Sequence, residues 1–163
     1  MKDNVKWLGG KRGEWYVLVQ GMLLALVVLG PRTWPDLPPW PPAIASLAGW
    51  AGLLLLLAGG MVSIVAALHL GPNLTPLPHP KDNAVLVESG LYRVVRHPIY
   101  FALIVMAIGW ALFVQGWLTL AYAAILFAFF DIKARREEAW LDARFPAYAD
   151  YRRRVKKLIP FVY

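Results

Sequence analysis

Four stretches of this chain are almost free of polar side chains. Trp15 to Gly30 is uncharged, with Gln20 its single strongly polar residue; Ala43 to Leu70, Ile99 to Val114 and Trp117 to Phe130 carry no formal charge either. A helix rises about 1.5 Å per residue and a bilayer core takes about 20 residues. The second run is long enough to cross with tilt to spare. The third and fourth are short and separated only by Gln115-Gly116, which predicts a tight helical hairpin. The pattern therefore predicts an all-α integral membrane protein with about four transmembrane helices, near 15–30, 43–70, 98–114 and 117–130. It forms a single membrane domain over 1–163, with segments 71–97 and 131–163 outside the bilayer. Too little polar sequence remains to cover four such helices in water.

Composition supports this. Of the 163 residues 59% are hydrophobic and 17% charged, against about 45–50% and 25% in an ordinary soluble domain, which excludes disorder. The absence of cysteine excludes disulfides, thiolate metal sites and a cysteine nucleophile. Charge placement sets the orientation. Of 17 basic residues, Arg32 alone falls between the first two runs. Lys2, Lys6, Lys11 and Arg12 precede the first run, Lys81, Arg93 and Arg96 lie between the second and third, and the rest, from Lys133 to Lys157, follow the fourth. Four crossings then put both termini in the cytoplasm. Trp34, Trp40, Trp110 and Trp117 gather near the outer face, and Trp7, Trp15 and Tyr16 near the inner one, as interfacial belts. The first run is expected to be a retained span, because Pro31-Arg32-Thr33-Trp34 follows it instead of a small-residue cleavage site. Six prolines from Pro31 to Pro42 predict a stiff external loop. Gly59, Ser63 and Ala67, at i, i+4 and i+8, form a small-residue ridge suited to close helix packing. The net charge of +7 is mostly cytoplasmic and reads as a basic rim on anionic lipid headgroups. Nucleic-acid binding has no support, since no free basic face or readout element is present.

The candidate chemistry is cytoplasmic. In Arg96-His97-Pro98-Ile99-Tyr100, Pro98 suits the first position of the third helix and His97 its cap. The amides of a helix start, beside the forked Arg96, suit a carboxylate or phosphate; the plainer reading is that Arg96 meets headgroups and His97 only caps. Past the fourth run come Asp131, Lys133, Arg135, Arg136, Glu137 and Glu138, with Leu141 and Phe145 continuing an apolar face, so the helix extends out of the bilayer. Lys133 and Glu137 are i and i+4, while Glu138 points about 100° away. Taken alone, these charges read as a salt-bridged surface helix. His69, His79 and His97 lack metal-ligand spacing, so no metal is expected. Dinucleotide-binding, P-loop and hydrolase-elbow motifs are missing.

Leu86-Val87-Glu88-Ser89-Gly90-Leu91-Tyr92, then Arg96-His97-Pro98-Ile99-Tyr100, then Glu137-Glu138, resembles the isoprenylcysteine carboxyl methyltransferase family and, more loosely, the phospholipid methyltransferase superfamily. The tail Phe145-Pro146-Ala147-Tyr148-Ala149-Asp150-Tyr151 resembles that family's C-terminus, so the likeness covers about 71–163. The resemblance implies methyl transfer from S-adenosylmethionine, with S-adenosylhomocysteine as product and no metal, to a lipid-borne acceptor that is prenylcysteine carboxylate-like or phospholipid amine-like. It implies a cytoplasmic cofactor pocket formed by the segment before the third helix and the C-terminal helical segment. Carried over by position, Leu86, Val87, Tyr92, Arg96, His97, Pro98, Ile99, Tyr100, Glu137 and Glu138 would bind the cofactor and Lys133 the substrate. Lysine there puts bidentate carboxylate binding in doubt. No catalytic base is assigned. The aromatic and aliphatic stretch of runs three and four is a candidate to hold the lipid chain. Two other functions stay open: a nicotinamide (NADPH)-dependent membrane reductase of the sterol type, and a small membrane scaffold without enzymatic activity.

Overall fold

A computed structural model describes residues 13–163. Lys2, Lys6, Trp7, Lys11 and Arg12, used above for orientation and the inner belt, lie outside the described residues. The described residues form five α-helices: α1 (Glu14–Leu29), α2 (Pro42–Leu70), α3 (Pro98–Phe113), α4 (Trp117–Arg144) and α5 (Tyr148–Arg154). Short 3₁₀ turns follow α2 and precede α3. The architecture is all-helical, apart from one isolated parallel bridge between Val95 and Lys156 among the described residues.

α2 and α4 are long and apolar enough to cross a membrane; α1 and α3, at 16 residues each, are apolar but shorter. One face of α2 shows what surrounds it. Leu47, Trp50, Leu54, Leu57, Met61, Ile64 and Leu68 are each between 63 and 75% exposed. They form one stripe from Leu47 to Leu68, about 32 Å long, which matches a hydrocarbon thickness of about 30 Å. A stripe of that size in water would be a large uncovered apolar patch, whereas in lipid it is solvated.

The other face of α2 packs on α3. A Cβ built on Gly52 would lie 2.5 Å from the Gly109 carbonyl oxygen, and one on Gly59 would lie 3.0 Å from the Ala102 carbonyl oxygen. The register rises on α2 as it falls on α3, so the helices are antiparallel and their backbones touch through glycine. The buried small residues of α2 are Ala48, Gly52, Gly59 and Ala66. Of the expected ridge, Gly59 belongs to this seam, while Ser63 and Ala67 are only partly buried. A spacing near seven residues keeps one seam aligned along a nearly antiparallel partner, which a strict four-residue step does not.

α4 packs on α1 and α3 through Tyr16, Val27, Ile104, Ala107, Leu126, Phe129 and Phe130, and Leu158 from the tail closes this core. At the far end the proline-rich loop rests on the α3–α4 turn. Leu118 N–H donates to Arg32 O at 3.0 Å, Trp117 Nε1 to Pro38 O at 2.9 Å, and the Trp40 and Trp117 rings lie 4.8 Å apart. At the near end α4 continues without a break past Phe130 into a charged stretch, as its apolar face predicts.

The seam gives a test with an internal control. Gly52→Ala places a methyl against backbone and should destabilise the fold by about 1–3 kcal/mol. Gly60→Ala, on the same helix with nothing within 4 Å of its Cβ, should not. Unfolding midpoints of both variants in detergent check this.

Candidate functional site

The site is assembled around the start of α3. Gly90 adopts φ 59°, and a Cβ there would lie 2.5 Å from the His69 ring. Only glycine permits both the left-handed backbone and that approach. The turn it makes leads into the strand-like step Val95–His97. There Arg96 N–H donates to Lys156 O at 2.8 Å and His97 N–H to Lys157 O at 3.1 Å, tying the tail to the entrance of α3. Pro98 is buried at the first helical position. His97 occupies the cap position, but its ring makes no capping bond.

The ring of His97 is held by the paired acids of α4. Its Nε2 lies 3.1 Å from Glu138 Oε1 and its Nδ1 lies 3.8 Å from Glu137 Oε2. Arg96 Nε donates to the same Glu138 oxygen at 2.8 Å, while its Nη1 donates to the carbonyls of Arg152 and Val155. The fork of Arg96 is thus directed at Glu138 and the tail, not held open for an incoming anion. Tyr100 OH donates to Glu137 Oε2 at 2.7 Å. The His97, Tyr100 and Phe130 rings stack in a column, 5.2 and 4.7 Å apart.

Burial works against the charge of Glu138, but the hydrogen bonds from His97 and Arg96 outweigh it and hold the carboxyl at about 2. Burial pushes the phenols of Tyr92, Tyr148 and Tyr151 above their ordinary range, so all three stay neutral donors. Tyr151 OH donates to Tyr92 O at 2.6 Å. Tyr148 is 1% exposed and its hydroxyl has no hydrogen-bond partner.

Two adjoining cavities meet on Leu70, Thr75, Tyr92, Arg96, His97 and Glu137. One, narrow at about 80 Å³, is closed by Leu86, Val87, Leu141, Tyr148 and Tyr151. The other, about 350 Å³, reaches Gln20, Ile99, Tyr100, Leu103 and Lys133. Lys133, 1% exposed, donates to Gln20 Oε1 at 2.6 Å and to Pro76 O at 2.8 Å. Beyond Leu103 a third, apolar cavity of about 310 Å³ lies among Leu24, Val28, Leu56, Met106 and Trp110. It is therefore α1, α2 and α3 that enclose this apolar space, while the α3–α4 contact is filled by the core.

The profile of the phospholipid methyltransferase family matches residues 47–147 of this chain. The chain belongs to that family. It is 28% identical over 117 residues to a probable protein-S-isoprenylcysteine O-methyltransferase of Oryza sativa subsp. indica, covering 69% of this chain and 61% of the relative. It is 28% identical over 155 residues to the protein-S-isoprenylcysteine O-methyltransferase of Saccharomyces cerevisiae, covering 92% and 65%. A cobalt-zinc-cadmium resistance protein, CzcN of Cupriavidus metallidurans, is 27% identical over 149 residues, covering 91% and 62%. The chain thus spans less than two thirds of the length of these curated relatives.

In this phospholipid methyltransferase family member, most of the residues singled out in the sequence converge. Leu86, Val87, Tyr92, Arg96, His97 and Glu137 line the narrow cavity, and Ile99, Tyr100 and Lys133 the wider one. Glu138 and Pro98 line neither; Glu138 lies behind His97, and Pro98 shapes the helix start. Sequence reasoning missed Thr75, Leu141, and the roles of Tyr148 and Gln20. Gln20 carried a signal, because a lone amide in an apolar span is costly unless it meets a partner.

The buried cluster predicts a pH dependence. Glu138 is held far below its ordinary value of 4.5, so its stabilisation is complete above about 4.5 and is lost as pH falls toward about 2. Glu138→Gln should destabilise by about 3–5 kcal/mol at neutral pH, because Arg96 loses its carboxylate partner, and should flatten the acid limb of stability. Unfolding midpoints of both proteins against pH check this.

Proposed function

We propose that this protein is a membrane-embedded methyltransferase that uses S-adenosylmethionine to methylate a lipid-borne acceptor. On this reading all four long helices cross the bilayer, α1 and α3 as short spans, with the basic residues on the cytoplasmic side facing anionic headgroups. The observation that carries the reading is the meeting of a narrow cavity and a wider one on shared walls at Tyr92, His97 and Glu137, with the wider one meeting an apolar cavity at Leu103.

The residues present fit the cofactor. Tyr148 offers a buried hydroxyl without a partner, and leaving such a group unpaired costs about 1–3 kcal/mol, so it favours a ligand with a polar atom there. Glu137 supplies an acceptor for an ammonium or a ribose hydroxyl, with Tyr100 fixing its rotamer. Leu86, Val87 and Leu141 give the apolar lining an adenine needs. Bound there, S-adenosylmethionine supplies a sulfonium methyl that a nucleophilic oxygen or nitrogen attacks directly.

The acceptor side favours a carboxylate. Lys133 is buried and its hydrogen bonds go to neutral oxygens, at Gln20 and Pro76. A carboxylate entering the wider cavity gains a charge-assisted bond from it. A carboxylate oxygen also needs no deprotonation before attack, so His97 and Glu137 serve to position and not to move a proton. The rice relative, a probable O-methyltransferase, and the yeast O-methyltransferase agree with this. A prenyl or acyl tail then continues past Leu103 into the apolar cavity, where each buried methylene contributes about 0.8 kcal/mol. Exclusion of water by that tail leaves the reacting groups oriented in a dry site.

Two measurements test this. Calorimetric titration in detergent should show S-adenosylhomocysteine binding to the native protein and binding weakened about tenfold or more by Tyr148→Phe or Glu137→Gln. Heat with NADPH and none with S-adenosylhomocysteine would replace this reading with the reductase. Lys133→Gln should raise KM for a prenylcysteine acceptor about tenfold to a hundredfold while leaving S-adenosylhomocysteine affinity unchanged; an equal loss of both would move Lys133 to the cofactor.

A further inference from the structure

Behind the site, on the other side of Arg96 and Glu138, lies a basic cleft that the methyl-transfer reading does not use. Arg135, Arg152, Lys156 and Lys157 line it, together with Val162, against the single carboxylate of Glu138. Arg152 and Lys156 are exposed. The cleft's depth relative to the apolar spans follows from Tyr163. Its hydroxyl donates to Asp131 Oδ1 at 2.9 Å and accepts from Arg135 Nη2 at 3.1 Å and Lys157 Nζ at 2.7 Å. Asp131 is the first charged residue after the apolar part of α4. Residues 159–163 therefore lie level with the point where α4 leaves its apolar stretch. At that level Phe161 is 82%, Val162 72% and Ile132 56% exposed.

We propose that this cleft binds the phosphate of an anionic lipid of the cytoplasmic leaflet, with Phe161, Val162 and Ile132 dipping into the acyl region beside it. The inference rests on the membrane orientation proposed above and adds to it a defined site, separate from the acceptor. Charge complementarity selects the headgroup: Arg135 and Lys157 are held by Asp131, while Arg152 and Lys156 have no ion-pair partner among the described residues and face the cleft, and arginine pairs with phosphate through two parallel bonds. The exposed apolar side chains next to them select a lipid over a free phosphate, since they gain only from acyl surroundings. The lipid's role is to hold the tail. Arg152 and Lys156 belong to the segment whose carbonyls receive Arg96, so a headgroup on them braces the strand-like step at the entrance of α3. Arg96 also lines both cofactor-side cavities, so the bound headgroup lies one side chain from them.

Native mass spectrometry of the full chain released from nanodiscs of mixed phosphatidylcholine and phosphatidylglycerol tests this. The native protein should retain phosphatidylglycerol in preference to phosphatidylcholine. Arg152→Gln with Lys156→Gln should lower that preference about tenfold or more. Arg153→Gln with Arg154→Gln removes the same charge from α5 outside the cleft and should preserve it. Equal retention by the native protein and the cleft variant would overturn the site. Equal loss in both double variants would also overturn it, because net charge alone would then explain retention. A native protein that retains neither lipid would remove the membrane orientation, and this inference with it. S-adenosylhomocysteine titration of the same samples reports on the methyltransferase reading separately.

Discussion

One carboxylate oxygen organises the charged end of this protein. Glu138 Oε1 receives both Arg96 Nε and the Nε2 of His97, and Arg96 reaches on to the carbonyls of Arg152 and Val155. Three pieces of chain far apart in sequence, the entrance of α3, the extension of α4 and the tail, are thereby one unit. Taking an ion pair out of water costs several kcal/mol per ion, and that cost is offset only where the remaining donors and acceptors are satisfied. Here they are, which is why the cluster acts as a rigid strut. The cavity walls at Tyr92, His97 and Tyr148 stand where they do because this strut stands behind them.

The adjacent acids divide the work by helical geometry. Consecutive residues on a helix point about 100° apart, so α4 cannot present Glu137 and Glu138 to the same neighbour. Glu138 turns behind His97 into the scaffold, while Glu137 faces both cavities with Tyr100 on one oxygen. His97, between them, is fixed at one nitrogen by the scaffold and stacked on Tyr100. A site that must hold a polar ligand benefits from this separation, since the group that binds is not the group that bears the load.

The helices were legible because outward-facing and core-facing positions on the apolar runs of α1 to α4 are both apolar, leaving runs that only helices explain. The seam was less legible: many small residues lie along α2, and only the partner's backbone shows that Gly52 and Gly59 face it while Gly49 and Gly60 face open space. At the site, local spacing placed Pro98 at a helix start and put Lys133 and Glu137 on one side of α4. It gave no sign that His97 meets a residue 41 positions away, because such pairing depends on how helices pack and not on period. The family likeness grouped Glu138 with Glu137 as cofactor-binding, although of the two only Glu137 lines the cavities beside His97. Gln20 and Lys133 show the same limit. Gln20 is an expensive amide in an apolar run and signals the need for a partner, while Lys133 stands in a charged stretch, and the sequence does not say that they satisfy one another.

On the proposed reading, the placement of the cavities decides how affinity is shared between the two ligands. The narrow cavity is bounded by the loop before α3 and by α5, polar segments outside the spans, so a water-soluble cofactor enters from that side. The apolar cavity lies among α1, α2 and α3 and joins the wider cavity at Leu103. A lipid tail entering there brings its own binding energy, several kcal/mol for a chain of many methylenes. The reacting end then needs few contacts of its own, and one buried lysine with one amide suffices to select and orient it. This arrangement also explains why the strut must be stiff: a tail anchored deep in the membrane part delivers its head group to a fixed depth, and the cofactor walls have to meet it there.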